Sequence, residues 1–180
     1  KKCIGTKSGT GRNRAIMARM SQRDRALAVH EILTREFPLI PSLLNYRNPF
    51  ELLVAVILSA QTTDAAVNRA TPELFRRFPE PGALASAPPE ELESLVRPLG
   101  FFRIKARNIR LASEVLVREF AGRVPEEMED LLRIPGVGRK SANVLLFHIH
   151  GKPAVIVDTH FGRVVRRLGL TAARDPGMVE

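Results

Sequence analysis

The sequence predicts an all-α fold, and three observations support this prediction. Apolar residues recur three or four positions apart in several segments, which is the pattern of a helix that buries one face. Proline or glycine separates these segments at intervals that suit turns between helices. Outside the apolar run at residues 52–58, no segment has the pattern of a β-strand with alternating apolar and polar residues, and no Asn-Gly pair marks a β-hairpin.

The N-terminal fifth of the chain divides into an arm and a first helix. Residues 1–20 contain six lysines or arginines and no acid, a composition typical of a disordered arm or a cloning remnant. The first predicted helix covers residues 21–37, with Ser21 as its N-cap.

The next predicted element is buried and covers residues 48–58. Its apolar run from 52 to 58 fits a helix or a strand equally well.

The remaining helices are predicted from starts rich in Thr, Asp, Pro and Glu and from breaks at Pro and Gly. The predicted starts lie at residues 63–64, 71–73, 88–91 and 125–127, a break at 97–100 precedes a helix over 104–120, and further helices cover 139–148 and 161–168. About nine or ten short helices therefore account for the chain.

Charge and composition limit the classes of protein to which this chain can belong. The net charge is +9, and residues 97–110 hold five basic residues and no acid, which is how a surface for a polyanion appears in sequence. A generally basic protein with solvated arginines is the alternative. The longest apolar run is too short to span a membrane. The single cysteine, Cys3, excludes an intrachain disulfide and any metal site with several cysteine ligands.

The most specific stretch is the Pro-Gly-Val-Gly turn at residues 135–138, between two predicted helices. Glycine tolerates positive φ, so both Gly136 and Gly138 can turn backbone N–H groups outward at the mouth of the second helix. Such donors at a helix N-terminus suit a phosphate group. An ordinary corner between two helices is the alternative for a glycine-rich turn taken alone.

Two side chains near this turn have reactive potential. Lys140 stands in the first turn of the second helix, where the helix end, Arg139 and partial burial would each lower the pKa of its amine and make it a nucleophile. A solvated or phosphate-contacting lysine is the alternative. Asp158 opens the last helix, and a lone aspartate there is usually an N-cap.

Two loops complete the set of candidate features. The segment at residues 59–64, Ser-Ala-Gln-Thr-Thr-Asp, has side chains that can hydrogen-bond bases or cap a helix. The segment at residues 99–103, Leu-Gly-Phe-Phe-Arg, places aromatic rings in a basic turn. These rings are either part of the core or an apolar wedge that enters between bases.

From residue 21 to the end, the sequence resembles the endonuclease III family of helix-hairpin-helix DNA glycosylases. The motifs that carry the resemblance are residues 48–64, residues 99–109, the hairpin with Lys140, and Val-Asp-Thr-His at residues 157–160. The resemblance implies two helical lobes with double-stranded DNA held in the cleft between them. It also implies a bifunctional enzyme that removes oxidised pyrimidines and cleaves the strand 3′ to the abasic site.

The resemblance implies a role for each site residue. The Lys140 amine would attack the sugar C1′ and form a Schiff base, and Asp158 would assist as a carboxylate. Gln61 matches the residue that fills the space left in the duplex, and Phe101 matches the wedge. The full set of expected DNA contacts is Gln61, Leu99, Phe101, Arg103, Pro135, Gly136, Val137, Gly138, Arg139 and His160.

The resemblance also implies a [4Fe–4S] cluster held by four cysteines near the C-terminus. This chain has one cysteine, so we expect it to hold no cluster or other metal and to be C-terminally incomplete. The first helix would then expose part of its apolar face. A non-catalytic helix-hairpin-helix module, or an inactive truncated form, is the alternative function.

The expected organisation follows from the same resemblance. Residues 1–20 form the arm, residues 21–41 belong to the terminal lobe, residues 42–153 form a helical barrel lobe with the hairpin at 125–149, and residues 154–180 return to the terminal lobe. We expect a monomer that binds DNA carrying a damaged pyrimidine or an abasic site. We expect no membrane association and a cytoplasmic location at the bacterial nucleoid.

Overall fold

The structure, a computed structural model, describes residues 20–37 and 42–180, and it is helical with no strand in those ranges. The predicted arm therefore lies outside the described residues, apart from Met20. The elements are α1 (Gln22–Glu36), α2 (Pro49–Leu58), α3 (Asp64–Arg77), α4 (Pro81–Ala85), α5 (Pro89–Val96), a 3₁₀ helix (Arg97–Leu99), α6 (Phe102–Phe120), α7 (Met128–Leu131), α8 (Arg139–His150), α9 (Thr159–Arg167) and α10 (Pro176–Val179). The all-α prediction is confirmed.

Side-chain caps explain several of the helix starts. Ser21, Asn48 and Thr63 each accept a hydrogen bond from a backbone amide in the first turn of the helix that follows. Asn48 and Pro49 together start α2, so the apolar run that suited a helix or a strand is a helix.

Two helix starts differ clearly from the sequence prediction, and two short helices were not predicted. The start predicted at 71–73 is wrong, because Pro72 lies inside α3, where burial of Leu74 and Phe75 outweighs the missing hydrogen bond. The helix predicted to start at Pro125 begins only at Met128 and has four residues. The short helices α4 and α10 were not predicted, since neither is long enough to show a periodicity.

The described residues divide into two compact units, 20–37 with Val157–Val179, and Ser42–Ile156 with Glu180. The larger unit contains the main core, in which α2 is the central element because nearly every residue of that helix is buried. The helices α3, α6 and α8 each pack an apolar face against it, and α5 packs against α3 and α6. Within this unit lie the Pro-Gly-Val-Gly turn and both candidate loops.

The smaller unit contains α1, α9 and α10. Arg25 of α1 donates to the Leu168 and Gly169 carbonyls at the end of α9, at 3.2 and 2.9 Å. None of the α1 side chains is buried, and Leu27, Ile32 and Leu33 are among its exposed apolar residues. Among the described residues no helix is both long and apolar enough to cross a membrane.

Candidate active site

The turn before α8 rests on the core through Gly136. This glycine has φ +85°, and a Cβ atom there would lie 3.0 Å from Ile57 Cγ2 and 3.3 Å from the Asn108 side chain. Only glycine fits both the backbone angle and the close approach of α2. The prediction of a positive φ is therefore confirmed at Gly136.

Gly138 differs from Gly136 in conformation and in surroundings. Its φ is −99°, so the prediction of a positive φ is wrong there. A Cβ at Gly138 would meet no atom within 4 Å, which leaves open space in front of the α8 N-terminus. Among the described residues no side chain caps this helix end, and the first amides of a helix have no partner within the helix. The geometry leaves room for an anion at this point.

The other turn residues divide into anchors and exposed groups. Val137 is buried in the core and its amide donates to the Ile134 carbonyl at 3.0 Å, so its side chain fixes the turn, and the predicted DNA contact at this residue stays a prediction. Pro135 is partly exposed. Arg139 is half-exposed, and its Nε donates to Glu180 Oε2 at 2.7 Å.

Lys140 is the second residue of α8, one position beyond Arg139 and two beyond Gly138. It is exposed, so the expected partial burial is wrong. The reason lies in the helix phase, because α8 turns Ala142, Asn143 and Leu145 toward the core. The lysine therefore stands on the open side of the helix end, where a large substrate can reach its amine.

Asp158 lies in the smaller unit and is the N-cap of α9. Its Oδ1 accepts a hydrogen bond from the Phe161 amide at 2.8 Å, so the N-cap interpretation of this residue is confirmed. The carboxylate is partly exposed. His160 is exposed in the first turn of the same helix, and its Nδ1 lies 3.3 Å from Arg163 Nη2.

The loop after α2 presents Gln61 to solvent. Gln61 is exposed and has φ +52°, a left-handed backbone that is uncommon for glutamine. Thr63, two residues on, caps α3, as its alternative interpretation proposed. Backbone strain of this kind is frequent at ligand-contacting loops, because the surrounding structure must hold it in place.

The loop before α6 presents Phe101 in a similar way. Phe101 has φ +47° and is 64% exposed, so the alternative that it belongs to the core is wrong. The Leu99 side chain is buried, and its carbonyl accepts hydrogen bonds within the loop, so the predicted DNA contact at Leu99 stays a prediction. Arg103 is exposed, packs over the Phe102 ring at 5.1 Å and lies 3.7 Å from Glu93.

Lys105 joins these two loops, and the sequence interpretation missed it. Its side chain is buried, and Nζ donates to the Leu99 carbonyl at 2.8 Å and to the Thr62 hydroxyl. The Thr62 hydroxyl itself donates to the same carbonyl at 2.7 Å. The available signal was helical phase, since Lys105 falls on the stripe of α6 that contains Ile109, Ala112 and Leu116.

The residues of this chain do not fit the four-cysteine cluster that the resemblance implies. The sequence has one cysteine, Cys3, which lies outside the described residues. Across residues 20–37 and 42–180, no group of three or more His, Cys, Asp and Glu side chains is placed to hold a metal ion. We therefore derive no step of the reaction through a cluster.

The fold and this site define a helix-hairpin-helix protein of the DNA-binding class. A glycine turn opens onto an uncapped helix end, a lysine stands in the first turn, and two exposed loops lie in the same unit. The chain belongs to the HhH-GPD superfamily of base excision DNA repair proteins, which it matches over residues 54–180. Its function is therefore that of a DNA repair glycosylase.

Individual relatives agree with this family. An endonuclease III from Synechocystis sp. is 50% identical over 161 residues, which cover 89% of this chain and 74% of the relative. A solved structure described as a non-covalent endonuclease III–DNA complex is 42% identical, with a TM-score of 0.80 over 89% of this chain and 75% of the other. A trapped covalent intermediate of endonuclease III with DNA matches with a TM-score of 0.78 at 42% identity, over 87% of this chain and 73% of the other.

Proposed function

We propose that this chain removes oxidised pyrimidines from duplex DNA and then cleaves the strand 3′ to the abasic site through a lysine Schiff base. The observation that carries the proposal is the position of Lys140, exposed in the first turn of an uncapped helix directly after Gly138. A phosphate bound at that helix end would bring a sugar within reach of the amine.

The chemistry begins at the sugar C1′. A bond forms between the Lys140 nitrogen and C1′ while the bond from C1′ to the base breaks, and the base leaves with the electron pair. The nitrogen then loses a proton, and the C1′–O4′ bond of the sugar ring breaks while O4′ takes up a proton, which leaves a protonated Schiff base between C1′ and Lys140. This Schiff base makes the C2′ proton acidic, so its loss expels the 3′ phosphate by β-elimination. Asp158 assists as a carboxylate that stabilises the positive charge developing on the sugar and amine.

The exposed loops supply the second part of the proposal. A base inside a duplex is out of reach of the amine and must be extruded, at a cost of a few kcal/mol for unstacking. Gln61 would fill the space that the base leaves, and Phe101 would act as the wedge between bases. Both side chains are exposed on left-handed backbone, where packing does not retain them.

We also propose that the protein acts on DNA as a monomer.

Borohydride trapping on a duplex with one abasic site tests the proposal. Wild type should form a covalent adduct, because borohydride reduces the Schiff base to a stable amine, and Lys140→Gln should form none. Lys152→Gln is the matched control, since Lys152 pairs with Glu127 near the C-terminus of α8 and should leave trapping intact. Loss of the adduct only in the control, or its persistence in Lys140→Gln, would exclude Lys140 as the nucleophile.

Asp158 is tested in the same assay on a duplex with thymine glycol. Asp158→Asn keeps an N-cap for α9, because asparagine caps as well as aspartate, but it removes the charge. We expect unchanged thermal stability and a fall in base excision of about a hundredfold, in the range of a lost electrostatic or acid-base group. Equal activity of Asp158→Asn and wild type would show that excision does not need the charge of Asp158.

A further inference from the structure

We propose that Lys105 is a positioning residue that holds the Gln61 loop and the Phe101 loop in register, so that both side chains enter the duplex together. This inference rests on the proposed function, because it assigns both loops a part in base extrusion. Lys105 is buried, so it acts through the two loops that it joins.

Burial of the Lys105 ammonium is costly to the folded state. Lys105 is 4% exposed, and the oxygens that its ammonium contacts belong to the Leu99 carbonyl and the Thr62 hydroxyl. Both are neutral, so neither offsets the loss of hydration as a carboxylate would. Burial accordingly lowers the pKa of Lys105. An apolar side chain would occupy this position of α6 at lower cost, which indicates that the contacts serve a purpose beyond stability.

The two contacts of the Lys105 ammonium lie close in sequence to Gln61 and to Phe101. Thr62 directly follows Gln61, and Leu99 precedes Phe101 by two residues. One ammonium therefore contacts both loops at their bases, across 37 positions of sequence between Thr62 and Leu99. The Lys105 amide also donates to the Phe101 carbonyl at 3.1 Å, so the same residue contacts the Phe101 segment from two sides.

The backbone is strained at the tips of both loops. Gln61 and Phe101 have φ +52° and +47°, and non-glycine residues persist in this region only where their surroundings fix them. The contacts among Lys105, Thr62 and Leu99 supply such fixation next to both residues. If they were lost, each loop would be free to relax, and the two side chains would no longer keep a common spacing.

The test compares Lys105→Met with wild type in single-turnover excision from two duplexes. In the first, thymine glycol is paired with adenine. In the second, the same lesion lies in a bulge and is already unstacked, so it needs less help from a wedge. We expect Lys105→Met to slow excision by at least about tenfold in the paired duplex and by less than about threefold in the bulge, since unstacking a paired base carries the larger cost.

Two further variants separate positioning from general stability. Thr62→Val removes the hydroxyl that Lys105 contacts, and Thr62→Ser restores it, so the first should reproduce the duplex-dependent loss and the second should rescue it. This pair also carries the test if Lys105→Met fails to fold. Ser113→Ala is the stability control, because Ser113 is buried in α6 and bonds only the Ile109 carbonyl in its own helix. It should lower excision from both duplexes equally or not at all.

The outcomes are distinguishable. Equal slowing of Lys105→Met on both duplexes, or no slowing, overturns the positioning role, as does failure of Thr62→Ser to restore activity relative to Thr62→Val. A wild type that processes neither duplex overturns the proposed function, and the inference falls with it. A wild type that processes both, with variants that respond to pairing, supports the inference.

Discussion

At the scale of single residues, three non-glycine positions in the described part of the chain have left-handed backbone, namely Gln61, Phe101 and Ala121. Ala121 ends α6, where a left-handed residue is common and glycine is preferred. Gln61 and Phe101 lie instead in exposed loops of the candidate site. The same backbone geometry thus serves helix termination at one position and presentation of a side chain at two others.

These positions allow a direct comparison of strain and function. We expect Phe101→Gly and Ala121→Gly each to raise the free energy of unfolding by about 1 kcal/mol, because glycine adopts this backbone without strain. Excision from a paired duplex should fall at least about tenfold for Phe101→Gly, since the wedge is lost, and should be unchanged for Ala121→Gly. Urea denaturation and single-turnover excision measure the two effects.

Either of two results would contradict this assignment. If Phe101→Gly excised thymine glycol as fast as wild type, Phe101 would have no wedge role. If Phe101→Gly and Ala121→Gly both lowered the free energy of unfolding, the left-handed backbone would carry no removable strain at either position.

At the scale of the element, the hairpin before α8 uses its two glycines for different purposes. Gly136 is in contact with α2, and Gly138 faces open space. A substitution at the first position disturbs packing, and one at the second disturbs access to the helix end. The two glycines therefore form a matched pair for separating stability from binding.

We expect Gly136→Ala to lower the free energy of unfolding by roughly 2 kcal/mol or more, through positive φ and the close approach of Ile57. Gly138→Ala should cost less than about 1 kcal/mol, because its backbone suits alanine. It should nevertheless weaken binding to a duplex with an abasic-site analogue, since its methyl group occupies the space open to a phosphate. Denaturation and fluorescence anisotropy test both statements, and normal DNA binding by Gly138→Ala would contradict the second.

Several helix starts could be predicted from the sequence alone, and the features that could not be predicted have physical causes. The caps at Ser21, Asn48 and Thr63 are local, so the pattern that predicts them needs no knowledge of the fold. Pro72 was misjudged because tertiary burial overrides a local preference. The burial of Leu99 and the contacts of Lys105 depend on how distant segments meet, which a single sequence does not display.

At the scale of the whole molecule, the number of phosphate contacts made by basic side chains governs the response of DNA binding to salt. The chain carries a net charge of +9, and each phosphate contact by a basic side chain adds about 0.9 to the slope of log Kd against log salt. Arg139 is paired with Glu180 in the structure. Its contribution to DNA binding therefore requires exchange of this carboxylate for a phosphate.

We expect Arg139→Gln to reduce the salt slope by about 1, because one phosphate contact is lost. Arg118→Gln is the matched control, since Arg118 is exposed near the end of α6, far along that helix from Phe101, and pairs with Glu119. It should leave the slope unchanged. Binding titrations at several salt concentrations measure both, and an unchanged slope for Arg139→Gln would mean that Arg139 keeps its partner Glu180 when DNA binds.

The contact between Gly136 and Ile57 has a consequence for how such an enzyme can diverge. The turn rests on the last turn of α2, and α2 ends at Leu58, three residues before Gln61. One buried helix therefore sets the distance between the turn before α8 and the Gln61 loop. A change of side-chain volume at position 57 would alter that distance while every residue expected to touch DNA stayed the same. Position 57 is buried, and a substitution there, in evolution or by design, can therefore change the spacing of the expected DNA contacts.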